Sequence, residues 1–472
     1  MPSSLRREFE GESGDIAFQT PNMPKSLGSF SFYRSGLAHQ PGASQYGPMN
    51  LSRLIPGLLL PAILLAAVSA ARASAPLNVH DYGATGDGVT KDTSALQKAI
   101  DAAAAAGGGE VDLPAGTYIT GSIELKSHVT LNLAAGAVIH GGTDPADYPL
   151  VNARWEGLEH PCHQALIFAH DAEDIAITGS GSIVGEGAVG RLRNPRGPTL
   201  FEPTSCKNIR ITGVTVGNTG VWTLHPTYSQ DITLSYVTID STGGNSDGFD
   251  PDSCQDVTVD HCSFSAGDDD ISIKCGKGQE GVKVGKPSEN VTVTNCTFIK
   301  GHGGVALGSE LSGGIAHVKI SNCTFQGVAE AIVLKSRAGR AGYVKDLQAD
   351  HLIVKGVPLL VLLTTYHANP DPQGVPGNDG LTDFSGIIIS DVQANSKSLV
   401  RVEATPEKPL DGLTLTNITG TCAQGLLIRN AKNVVLKDIK LDGIKGPPLI
   451  TENVQGSGLD GAAPYASPSA SP

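Results

Sequence analysis

Three short stretches, Asn245-Ser246-Asp247-Gly248, Gly267-Asp268-Asp269-Asp270 and Gly301-His302-Gly303-Gly304, set carboxylates and an imidazole among turn-forming residues. Adjacent carboxylates raise each other's pKa and repel. A fold that holds Asp268 beside Asp269, with Asp247 upstream and His302 downstream, is suited to keeping one carboxyl protonated while others stay ionised. Acid–base hydrolysis of a glycosidic bond needs that division of labour. A calcium site or a solvated acidic loop is the competing reading, and three consecutive aspartates taken alone favour it. The surrounding repeats tip the balance toward catalysis.

Ser205-Cys206-Lys207-Asn208-Ile209 returns as Ser229-Gln230-Asp231-Ile232, as Ser253-Cys254-Gln255-Asp256-Val257 and as Ser288-Glu289-Asn290-Val291, each followed by alternating β-branched residues. A second register, His261-Cys262-Ser263-Phe264, returns as Asn295-Cys296-Thr297-Phe298 and Asn322-Cys323-Thr324-Phe325. A period of about two to three dozen residues, with strand-like alternation broken by Gly, Asn, Asp and Ser, predicts one coil of a solenoid per repeat. The fold class expected is all-β, a right-handed, single-stranded parallel β-helix. In such a coil equivalent residues stack about 4.8 Å apart, which is how Asp247, the Asp268–Asp269 pair and His302 can converge. Asp270, if the strand alternates, points opposite to Asp269 and serves as a buried acceptor.

The segment carrying the acids also holds Lys274, Lys300, His302, Lys335, Arg337 and Arg340. The chain of 472 residues has a formal charge of −13, which argues against nucleic acid as a partner. The basic cluster would supply the local field that an acidic polysaccharide or oligosaccharide requires. Residues 54–71 read as the apolar core of a signal peptide, with Arg53 before it and Ala73-Ser74-Ala75 as the cleavage pattern. The expected organisation is a non-native or disordered extension over 1–48, a signal peptide over 49–75, a β-helix over 76–455 and a disordered tail over 456–472. Export to the periplasm or beyond the cell, a monomeric state and no membrane association after cleavage follow from this reading.

An amphipathic run from Ser94 to Ala106, with Leu96 and Ile100 on its apolar stripe and Asp92 or Thr93 as cap, predicts a helix plugging the open end of the solenoid. Among the eight cysteines, Cys262, Cys296 and Cys323 share one register and should stack in the wall as small hydrophobes. Cys254–Cys275 is a candidate bridge after export. No cysteine or histidine spacing points to a metal, and no cofactor is expected.

The order of these motifs resembles glycoside hydrolase family 28, the polygalacturonase family, from about Leu77 to about Gly446. Asn245-Ser246-Asp247 is similar to its Asn-x-Asp motif, Gly267-Asp268-Asp269 to Gly-Asp-Asp, and Gly301-His302-Gly303 to Gly-His-Gly. Asp250-Pro251-Asp252-Ser253-Cys254, Gly308-Ser309-Glu310, Trp222-Thr223-Leu224-His225-Pro226 and Gly339-Arg340-Ala341-Gly342-Tyr343 resemble the bacterial exo-acting and related branches. The resemblance implies a pectin-lyase-like β-helix that hydrolyses α-1,4 bonds of polygalacturonate or pectin-derived oligosaccharides with inversion. It assigns Asp268 as general acid, Asp247 and Asp269 as the pair activating water, and His302 as guardian of the acid's hydrogen bonding or protonation. Asn245 would orient Asp247 or touch substrate, and Lys335 would bind a uronate carboxylate.

One position departs from the pattern. The family's Arg-x-Lys motif aligns with Val333-Leu334-Lys335, so the natural guanidinium clamp for a carboxylate is missing. Arg337 and Arg340, in the loop that follows, are the candidates to replace it. Three readings therefore stand: a polygalacturonase or a hydrolase of rhamnogalacturonan or another modified pectin; a calcium-dependent pectate lyase; and a non-catalytic carbohydrate-binding solenoid. The motif order speaks against the lyase.

Overall fold

The computed structural model describes residues 75–366 and 373–466. Their strands pair in parallel from coil to coil, and the coil presents three faces to its interior. On the first face Leu131, Ile177, Ile211, Leu234, Val259, Val293 and Ile320 follow one another in register. On the second, Ile139, Ile183, Val216, Ile239, Phe264, Phe298 and Phe325 do the same. The third runs Ile167, Phe201, Leu224, Phe249, Ile271, Val305, Ile332, Val361 and Val400. All of these side chains are buried, so the core is a continuous apolar column. This is the parallel β-helix that the repeats predict.

The two repeat registers mark corners. Asn208, Asp231, Asp256 and Asn290 sit at φ 53, 57, 56 and 59, and His261, Asn295 and Asn322 at φ 53, 55 and 54. Asn and Asp adopt this left-handed conformation more readily than other non-glycine residues, which explains their recurrence. They also bond along the axis: Asn290 Nδ2 donates to Asp256 Oδ1 at 2.9 Å and Asn295 Nδ2 to Asp260 Oδ1 at 2.8 Å. One residue past the second corner, Cys262, Cys296 and Cys323 turn into the wall and are buried, as expected. Two residues further on, Phe264, Phe298 and Phe325 stack with ring centroids 5.3 and 4.6 Å apart.

The N-terminal helix spans Thr93–Ala105 and buries Leu96 and Ile100. Asp92 precedes it, yet its side chain makes no capping bond. Its carboxylate instead accepts from Thr85 N at 2.7 Å and Gly86 N at 3.0 Å, and Thr93 Oγ1 accepts from Gly121 N at 2.9 Å. Both expected caps therefore fasten the helix to neighbouring loops.

Two expectations are corrected. The chain past 455 is not a bare tail: the strand Leu449–Ser457 pairs with Ala463–Pro464, continuing the ladder over an apolar Leu-Ile edge that still needs cover. The cysteines Cys254 and Cys275 are both buried and free. Asp252 pairs with Lys274, so the two thiols stand two and one residues past that pairing and are out of step. The proposed leader at 49–75 and the extension at 1–48 lie, except for Ala75, outside the described residues, as does 467–472. Among the described residues no helix is long and apolar enough to cross a membrane.

Candidate active site

The outward side of the third face carries the acids. Leu224, Phe249, Ile271, Val305 and Ile332 are register partners pointing inward. Counting back two residues from each places Trp222, Asp247, Asp269, Gly303 and Glu330 on one ladder. Counting forward three places Thr227, Asp252, Lys274, Gly308 and Lys335 on another. The backbone ties the motifs directly: Gly248 N donates to Asp269 O at 2.9 Å, His302 N to Asp268 O at 2.7 Å and Asp270 N to Gly303 O at 2.8 Å.

Asp269 is buried and held from several sides. Its Oδ1 accepts from Gly303 N at 3.0 Å, while Oδ2 accepts from Ser272 Oγ at 3.2 Å and Lys335 Nζ at 2.5 Å. Burial works against the charge, but Lys335, His302 and Lys274 together outweigh it and hold the carboxyl well below the usual carboxylate range. Gly303 is required here, because a Cβ would stand 2.8 Å from Asp269 Oδ1. Asp247 is equally buried, and burial pushes its pKa up to about 7 although Lys274 pulls the other way. Asp268 is the open member, its side chain 38 % exposed. His302, 56 % exposed, places Nδ1 4.0 Å from Asp268 Oδ1 and 3.7 Å from Asp269 Oδ1. The neighbouring Asp269 raises the imidazole's pKa against the effect of burial. Asp247, Asp268, Asp269 and His302 thus line one site, as the motif spacing implies.

The remaining candidates divide. Lys335 lies in the site, but its ammonium is buried on Asp269. Arg340 is fully buried, with Nη2 3.7 Å from Glu310 Oε1, so it supports the site from behind and offers no surface clamp. Arg337 is half-buried in the same loop, while Lys300 is exposed. Asn245 occupies a left-handed turn at φ 62 two residues before Asp247, and no hydrogen bond joins its side chain to Asp247. The group that does hold Asp247 is Lys274, whose Nζ lies 3.5 Å from Asp247 Oδ2, 3.4 Å from Asp250 Oδ1 and 3.6 Å from Glu310 Oε2. Lys274 also donates to Ser272 Oγ at 2.8 Å and sits 4.4 Å over the Trp222 ring. Asp270 is buried, accepts from Ala266 N at 3.1 Å and packs beneath Gly301. Burial holds its pKa well above the ordinary value, so it is the internal acceptor that strand alternation predicts.

Asp250, Ser272, Glu310 and Glu330 are site residues without an assigned role in the sequence reading. Their signal lies in register: Asp250 and Ser272 are neighbours across one rung, and Glu330 follows Gly303 on the Asp247–Asp269 ladder. Glu330 Oε2 is 3.8 Å from His302 Nε2. Beneath this floor, Gly304 faces the phenyl stack, where a Cβ would meet Phe325 Cδ1 at 2.6 Å, and Gly248 faces Phe264 Cδ1 at 3.2 Å.

Donor atoms of Asp268, Asp269 and His302 fall within 4.8 Å of one another, a spacing that a divalent cation accepts. Lys335 already neutralises Asp269 there, so a cation would have to displace a buried ammonium.

A family model described as glycosyl hydrolases family 28 matches residues 110–433, and one for rhamnogalacturonase A/epimerase, pectate lyase-like, matches 77–141. A probable polygalacturonase of Vitis vinifera is 31% identical over 364 residues, covering 72% of this chain and 73% of that protein. An exo-poly-alpha-D-galacturonosidase of Dickeya chrysanthemi is 30% identical over 300 residues, covering 52% and 49%. Among solved structures, the hyperthermoactive exopolygalacturonase of Thermotoga maritima superposes with a TM-score of 0.67 at 27% identity, over 81% of this chain and 92% of that one.

Proposed function

The chain belongs to glycosyl hydrolases family 28, and from that premise we propose that it hydrolyses α-1,4 bonds in polygalacturonate or pectin-derived oligosaccharides with inversion of configuration. The observation that carries the reading is the pairing of two buried acids on one ladder, Asp247 and Asp269, with the open Asp268 and His302 beside them. Asp268, the exposed member, reaches the glycosidic oxygen and protonates the leaving group. Asp269, kept ionised by Lys335, and Asp247 hold the attacking water on the other side of the bond.

Close carboxylates titrate as a unit. In the free cleft burial raises the pKa of Asp247, to about 7, and that of Asp250 well above its ordinary value, so this buried pair holds the proton. For the reaction the proton must stand on Asp268, and its departure from Asp247 frees that carboxylate to act on water. His302, charged more readily because of Asp269, steadies the ionised partner. The proposal also takes the mature enzyme to be an exported monomer that acts on an acidic glycan and has no nucleic-acid partner, as its leader-like sequence and acidic composition support.

The test is reducing-sugar release with product sizing on polygalacturonate, its trimer and rhamnogalacturonan, without added calcium, for the wild type and Asp268→Asn. Saturated products lost in the variant are the expected result, and the product ladder separates endo from exo action. Unsaturated products would overturn hydrolysis in favour of elimination.

A further inference from the structure

We infer that Glu330 and Val333 fit the cleft beyond the catalytic acids to an uncharged sugar, so that the preferred chain carries an esterified uronate or a neutral sugar there instead of a free carboxylate. This rests on the glycoside hydrolase reading above and deepens it. Glu330 follows Gly303 in register and is followed by Leu359, while Val333 follows Ala306 and is followed by Leu362. Rungs stand about 4.8 Å apart, so these four residues cover the second and third coils beyond that of Asp269, roughly 10 and 14 Å along the axis. Leu359 and Leu362 are half-buried on the outward side, and Val333 is buried against Gly303. The patch is therefore one carboxylate set among aliphatic carbon.

The two lysines of the site are engaged elsewhere. Lys335 is bound to Asp269, and Lys274 is shared by Asp247, Asp250 and Glu310. Glu330 Oε2 has no hydrogen-bond partner and faces only the His302 imidazole, at 3.8 Å. An ionised uronate lying here would lose water to aliphatic groups and meet a like charge, offset by no group but the His302 imidazole that Asp268, Asp269 and Glu330 already share. A sugar hydroxyl, by contrast, can donate to the other oxygen, Oε1, which is not closed over as Oε2 is, and an ester methyl can pack on Leu359 and Leu362.

The deciding experiment measures two ratios on the full chain. The first is kcat/KM for methyl-esterified over free polygalacturonate, with rhamnogalacturonan as the neutral-sugar arm. The second is the calorimetric affinity of Asp268→Asn for esterified and free galacturonate oligomers, alone and combined with Glu330→Gln. A preference for one uncharged chain on the order of tenfold is expected, and the chain that shows it identifies the source. Glu330→Gln, which keeps shape and hydrogen bonding, should bring both ratios close to one by improving the free acid. Val333→Arg should reverse them, but it inserts a long side chain at a buried position, so Glu330→Gln decides. Preference for the free acid, or ratios unmoved by Glu330→Gln, would overturn the inference. Failure to hydrolyse any chain would overturn the hydrolase reading, while the binding ratios would still decide the specificity.

Discussion

At the corner before the second face, successive coils place Tyr236, His261, Asn295, Asn322 and His351, all at φ between 53 and 56. On the third face, successive rungs place Trp222, Asp247, Asp269, Gly303 and Glu330, which differ in type and, but for the two aspartates, in task. The corner residues share one backbone problem, Asn295 bonding to Asp260 and Tyr236 stacking on His261 in the adjacent coil. The two aspartates of the ladder are buried and held by unlike partners, Lys274 and Lys335. Repetition in a solenoid marks what every coil must do to close, and loss of repetition marks what only one place does.

The contrast is broken most severely at the open acid. Asp268→Asn should lower kcat by about 10³-fold, within the range assigned to a positioned general acid, while leaving the melting temperature nearly unchanged because the side chain is half exposed. A steady-state assay and a thermal melt on the same preparation check both halves. Loss of Lys335 should act on stability as well. Lys335→Ala leaves Asp269 buried without its counter-ion, at a cost of about 3–5 kcal/mol in a denaturant titration, along with loss of activity. The corner ladder has no comparable single point of failure.

The pH profile sharpens the electrostatic side of the comparison. Asp247 has its pKa raised to about 7, so its proton is retained below that value and lost above it. The active form needs one proton among the carboxylates, and His302, also raised, loses its charge in the same direction. kcat/KM should therefore fall by roughly tenfold per pH unit above about 7, with no matching step in an assay of folding at the corners. The smallest effect belongs to those corners. Asn290→Ala removes an exposed bond to Asp256 and leaves alanine at φ 59. A loss of about 1–2 kcal/mol in stability is expected, with kcat/KM unchanged.

The same contrast explains what was legible beforehand. Corner positions repeat, so the two registers revealed the coil and the buried cysteine column. The acids stood out because adjacent aspartates need a reason, and their motif order led to the correct family. Lys274, Ser272 and Glu330 acquire their roles only across rungs of unequal length, which no local pattern records. Burial is equally non-local. Arg340 read as a surface clamp because its neighbours are loop residues, yet it is closed over from all sides behind Glu310. Lys335 read as a ligand for substrate, and its partner is the acid two coils back, Asp269.

The glycines of the catalytic motifs rest on the phenylalanine column, Gly248 against Phe264 and Gly304 against Phe325, and this ties the history of the cleft to the history of the core. A Cβ at 304 would meet the Ala331 carbonyl oxygen at 2.8 Å as well as the ring, and one at 248 would meet the Asp270 carbonyl oxygen at 2.5 Å, so a smaller ring alone should rescue a side chain at neither position. A change that shrinks the ring would in turn open a void directly under the reacting acids. The chemistry of this enzyme is thereby shielded from drift by residues that never meet a substrate.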